Sequence, residues 1–150
     1  MIPDDENPFS VLVVNPDTEE CGFYLNILTL LGVAKTASAP DNQEGSDMLS
    51  AMGWDVVVFK LVEDFDDLLG KIFSQPERPM LIVTYDDPEL LCRFDAQAQT
   101  YGLTVAGRLR TPLALSDMGS QILTVRERYR GQHRREVEVT RPVLLPGKLG

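Results

Sequence analysis

Few side chains in this 150-residue chain are equipped for chemistry, and their spacing argues against most kinds of it. The single histidine, His133, stands between Gln132 and Arg134 in a polar stretch, which supports neither a zinc site nor a Ser/His/Asp machine. Cys21 and Cys92 lie far apart and fit no metal-ligand spacing, so two reduced, semi-buried thiols are expected. Asp86 and Asp87 invite a metal reading, but Asp87-Pro88 is a helix start; Asp64, Asp66 and Asp67 suit the charged first turn of another helix. No GxGxxG or GxxxxGK[ST] follows the first apolar run, so a nucleotide phosphate cradle is not supported. The remaining candidates are Asn15, Pro16, Asp17, Lys60, Thr84 and Thr111, which stand at or just beyond the ends of short apolar runs.

Those runs alternate with helical patterns. Val11 to Val14 is a continuous apolar run suited to a strand buried on both faces. Asp17, with Glu20 three residues on, starts a helix over Thr18 to Leu31 that buries Tyr24, Leu25, Leu28 and Leu31 and stops at Gly32. Val33 to Ala37 reads as a weaker strand, Pro40 to Ser46 as a loop, and Asp47 to Met52 as at most a short helix. Val56 to Phe59 is a third strand, Asp64 to Phe73 a helix, and Met80 to Val83 a fourth strand. A fourth helix runs from the Asp87 cap to Tyr101, ending at Gly102. Val105 to Leu109 makes a fifth strand, and Ser116 caps a last helix reaching Arg130. Strands alternating with helices imply an α/β fold, a doubly wound five-stranded parallel sheet with helices on both faces. In such sheets sites gather at the carboxyl ends of the strands, where the six candidates fall.

The charge is unevenly placed. Residues 1–107 hold 5 Lys/Arg against 19 Asp/Glu, whereas residues 108–150 hold 9 against 4. An acidic body argues against nucleic acid as the main partner, and the arginines of 126–135 fit a solvated helix end better than a nucleic-acid contact. No apolar run approaches the roughly 18 residues a membrane span needs, and the acidic start Asp4-Asp5-Glu6 is unlike a secretory signal. A cytoplasmic location without membrane contact is expected. The chain divides into an acidic leader (1–9), one domain (10–130) and a C-terminal extension or linker (131–150). Glu136 to Val139 alternates polar with apolar, and leaves open whether the extension is an edge strand, a linker or a partner-binding segment.

Taken in order, the Val11–Asp17 strand and loop, Asp55 to Phe59 ahead of position 60, Pro79 to Thr84, and Gly107 to Pro112 resemble a response-regulator receiver domain. The resemblance spans residue 10 to about residue 125 and implies the flavodoxin-like strand order 2-1-3-4-5. It also implies a phosphoryl-accepting pocket, and most of that pocket's positions have changed. Asn15 and Pro16 stand where the family has its Mg²⁺-binding acidic pair, Lys60 where it has the phospho-accepting aspartate, and Thr111 where it has a lysine. Thr84 matches the family's switch hydroxyl, but Tyr85 replaces the small residue after it and Arg108 the switch aromatic. Mg²⁺ needs carboxylate oxygens in near-octahedral array, and a lysine forms no acyl phosphate. The resemblance therefore implies a non-enzymatic pseudo-receiver with neither metal nor cofactor, in a phosphorelay-type two-component setting. Lys60 is expected to pair with Asp17, and the Thr84 hydroxyl to bond local backbone.

With an inert pocket, function moves to surfaces. The family's habit of dimerising through the fourth helix, fifth strand and fifth helix implies a homodimer or protein-partner face here, with Arg93, Arg108, Arg110, Met118 and Ile122 on it. Ala96 to Gly107, running into Leu109 and Pro112, resembles receivers that precede EAL-type cyclic-di-GMP phosphodiesterase domains. The alternative is a flavodoxin-like sensor in which Lys60, Thr84 and Thr111 hold an anion or small ligand.

Overall fold

The computed structural model describes residues 9–111 and 117–128. Five strands, β1 (Ser10–Val14), β2 (Lys35–Ala39), β3 (Val56–Lys60), β4 (Met80–Tyr85) and β5 (Val105–Arg110), pair in parallel in the order β2-β1-β3-β4-β5. The helices are α1 (Thr18–Leu30), α2 (Asn42–Ala51), α3 (Phe65–Phe73), α4 (Pro88–Tyr101) and α5 (117–128). The doubly wound sheet and strand order expected from the sequence are both present. The Ser116 cap, the helix end at Arg130, His133, residues 1–8 of the leader and the 131–150 extension lie outside the described residues.

Alternation along the strands divides the interior in two. Leu12, Val14, Val57, Phe59, Leu81 and Val83 face one layer with α2, α3 and α4. Val11, Val13, Val56, Val58 and Ile82 face the other, where they meet α1 and α5. Each fully buried aliphatic or aromatic side chain contributes about 1.5–3 kcal/mol, so both layers hold the sheet. In the first layer Phe94 packs edge-on to Phe59 and Phe65, at centroid distances of 5.7 and 6.0 Å. At the amino end of the sheet, the Ser10 amide and hydroxyl both donate to Asp55 Oδ2, and the Asp55 amide donates back to Ser10 Oγ. These bonds fix the register of β1 against β3.

Two segments differ from the sequence expectation. The second strand is Lys35–Ala39 rather than Val33 to Ala37. Val33 is used to close α1, its amide donating to Leu28 O while Gly32, at φ +80°, donates to Thr29 O. This is the Schellman arrangement, in which a left-handed glycine satisfies the last carbonyls of a helix. The expected Pro40 to Ser46 loop is mostly helix, because α2 begins at Asn42 under the Asp41 cap. Gly45 lies within it: a Cβ there would stand 2.9 Å from Val14 Cγ2, so glycine lets the helix approach β1.

The β5 edge is irregular. Leu81 pairs with Val105 and Ile82 with Gly107, which leaves Ala106 as an extra, bulged residue. Gln121 of α5 donates through Nε2 to the Ala106 carbonyl at 2.9 Å and lies directly over Gly107. Among the described residues, no helix is long and apolar enough to cross a membrane.

Candidate functional site

The carboxyl ends of β1, β3 and β4 meet under the first turns of α1. Asn15, which follows β1, is buried and fully engaged. Its amide donates to Ala39 O, its Oδ1 accepts from the Asp17 amide at 2.8 Å, and its Nδ2 donates to Glu20 Oε1 at 2.9 Å. Pro16 and Asp17 are exposed. Asp17 caps α1 as expected, its Oδ1 accepting from the Glu19 and Glu20 amides. Because Asn15 takes the Asp17 amide, the Glu20 side chain does not reach back to it as a capping box would have it. Glu20 turns instead into the site.

Lys60 ends β3, and its ammonium stands 3.6 Å from Glu20 Oε2. The expected Lys60–Asp17 pair is not made: the Asp17 carboxylate serves the helix amides, and Glu20, one turn further along, faces the strand ends. Glu20 is therefore the site residue that sequence reasoning missed. Its position three residues after a capping aspartate disguised it as a capping residue.

Thr84 lies opposite Lys60 in the β3–β4 register. Its hydroxyl is buried and makes no hydrogen bond, which corrects the expected bond to local backbone. Thr84 faces the Tyr24 phenol of α1 and lowers its pKa, an effect smaller than those of burial and of Glu20. Burial, reinforced by the Glu20 charge, dominates and pushes the Tyr24 pKa up to about 12. Burial likewise raises the Cys21 thiol, with help from Asp17 and Glu20, while its Sγ donates to Asn15 O. Thr111 is the first residue after β5, and both its amide and its hydroxyl donate to Tyr85 O, at 2.8 and 3.2 Å.

The structure thus gathers Asn15, Lys60 and Thr84 around Glu20 and Tyr24, and leaves Pro16 and Asp17 at the rim. Glu20 is shared between an amide and an ammonium, so it offers a hard cation little, and the Lys60 charge repels one. Cys21 is held in its neutral thiol form, a poor nucleophile. Among the described residues, no three His, Cys, Asp or Glu side chains converge as metal ligands would.

The α4–β5–α5 face differs from expectation in its apolar members. Met118 and Ile122 are 1% and 0% exposed and pack under the sheet against the α1 layer, so they cannot meet a partner. Their spacing of four, continued by Val125, places all three on the inner stripe of α5. Arg93, Arg108 and Arg110 are at the surface. Arg93 pairs with Glu63 and Arg108 with Asp95, each at 2.8 Å. Arg110 has no ion pair among the described residues.

No family model matches the chain, and no curated protein matches it by sequence. Solved structures do. The N-terminal domain of an uncharacterized protein from Wolinella succinogenes superposes at TM-score 0.71 with 19% identity, over 83% of this chain and 98% of that one. The signal receiver domain of an HD domain-containing protein from Pseudomonas fluorescens follows at 0.68 and 18%, over 83% and 99%. A response regulator receiver domain protein from Clostridium thermocellum gives 0.66 and 17%, over 81% and 97%. This chain has the receiver fold.

Proposed function

We propose that the domain is a pseudo-receiver: a non-enzymatic module of a two-component-type regulator that works through protein contacts without accepting a phosphoryl group. The observation that carries this reading is the Asn15–Glu20–Lys60 network. An internal carboxylate sits between an amide and an ammonium at the strand ends, where the receiver resemblance calls for a metal and a phospho-aspartate. Replacing two charges that must be supplied from outside by two that are built in removes the pocket's dependence on phosphorylation. The anion-sensor alternative is less well supported, since Lys60 is paired and the Thr111 hydroxyl is engaged.

The contact surface proposed is the exposed part of α4 and β5, including Arg110, which has no ion pair among the described residues, with a second copy of the chain or a protein partner opposite. Arg93 and Arg108 contribute there as members of intrachain pairs. A cytoplasmic setting, a 10–130 domain followed by a C-terminal extension or linker, and a link to cyclic-di-GMP signalling through the EAL-type resemblance of Ala96 to Gly107 complete the proposal.

Thermal unfolding with Mg²⁺ plus beryllofluoride, and separately with acetyl phosphate, tests the pocket. A ligand at 100 times its Kd stabilises the native state by about 2.7 kcal/mol, several degrees for a domain of this size. No shift is expected; a shift of that size overturns the pseudo-receiver reading. Sedimentation of the wild type and Arg110→Glu tests the surface. A dimer that the substitution weakens supports it, and a dimer indifferent to the substitution removes this face.

A further inference from the structure

The outer side of α1 carries an apolar stripe that nothing described so far uses. Leu30 is 80% exposed and Phe23, two turns earlier, 38%. With Glu19 and Asn26 they form one exposed line at the helical spacing of 19, 23, 26 and 30. Leu123 of α5 is 41% exposed. The two helices are tied at this end, because Arg126, one turn beyond Leu123, donates from Nη1 to Leu31 O at 2.7 Å. Two large apolar side chains on one face of α1, with a third exposed on the helix tied to its end, are more than the scattered exposure a surface normally shows.

Two facts point to the occupant. The last turn of α5 lies beside the Leu30 end of the stripe, and 22 residues of sequence follow it. Within them, Pro142-Val143-Leu144-Leu145-Pro146 is flanked by Arg141 and Lys148. The stripe itself carries one charge, Glu19, and α1 has no Lys or Arg. A basic segment with an apolar centre complements a stripe whose one charge is a glutamate. Reach is ample. The 15 residues from 128 to 143 span up to about 50 Å, and the stripe is about 17 Å long. The flanking prolines restrict the free segment and reduce the entropy lost on docking.

We propose that residues 141–148 dock in cis on the Phe23–Leu30–Leu123 stripe, with Leu144 and Leu145 against the apolar side chains and the basic flanks toward Glu19. This inference is independent of the pocket's state. A nitroxide at Lys148→Cys, in a full-length Cys92→Ser chain, tests it by paramagnetic broadening of amide signals. Phe23, Asn26, Leu30 and Leu123 are expected to lose most of their intensity, and adding Leu144→Asp, which lies outside the folded core described above, is expected to restore it. Undiminished signals at those four residues overturn the proposal. So does broadening that appears only when isotope-labelled and nitroxide-labelled chains are mixed, since that places the segment on a second copy.

Discussion

The two layers of the sheet solve different problems. Against α2, α3 and α4 the interior is dry and aromatic, with Phe94 wedged between Phe59 and Phe65. Against α1 and α5 it is aliphatic in the middle but polar at the top, where Tyr24, Cys21, Thr84 and Asn15 sit in or beside the core. A layer whose core is apolar apart from the Trp54 indole, itself bonded to Met48 O, can be optimised for packing. A layer that must end in a polar network keeps groups that are costly to bury, and the unbonded Thr84 hydroxyl is one of them.

Phe94→Ala tests the dry layer most severely. It is expected to cost about 3–5 kcal/mol in urea unfolding, the usual range for truncating a fully buried aromatic. A loss under about 1 kcal/mol would mean the aromatic layer is not the anchor. Tyr24 reports on the polar layer through pH. Its pKa is raised from 10.0 to about 12 in the folded protein, so the neutral phenol favours folding. That contribution is complete below pH 10 and is lost as pH rises toward 12, at about 1.4 kcal/mol per pH unit. Unfolding curves of Tyr24→Phe should lack that part of the alkaline slope; curves parallel to wild type would place the phenol in water.

Smaller effects sharpen the contrast within the site. Thr84→Val removes a buried hydroxyl that has no partner, so stability should hold or rise by up to about 1 kcal/mol. A clear loss in thermal melts would show the hydroxyl to be bonded. Lys60→Met breaks a partly exposed pair at 3.6 Å and should cost no more than about 1 kcal/mol. A cost several times larger would make the pair a structural keystone.

Legibility in the sequence followed the same division. Strands buried on both faces, Val11 to Val14 and Val56 to Phe59, announce themselves because nothing but apolar residues survives there. β2 does not, since Lys-Thr-Ala-Ser-Ala is an edge strand with one buried side chain. α2 was obscured by Gly45, whose lack of a side chain lowers helix propensity while permitting contact with Val14. In the site, Lys60 and Thr84 were found by position at strand ends. Glu20 was hidden because its role depends on which of two nearby acids the helix amides claim. The family resemblance puts Met118 and Ile122 on a surface, although the 118, 122, 125 spacing marks an inner helical stripe.

The bulge at Ala106 bears on how this protein can associate at all. An open parallel edge ordinarily offers a row of free amides and carbonyls to any passing strand. Here one of those carbonyls is taken by Gln121, and the strand is bent where a newcomer would have to lie flat. Growth of the sheet across β5 into a continuous ribbon is thereby discouraged. A strand added at this edge would have to displace the Gln121 bond and follow the bend at Ala106.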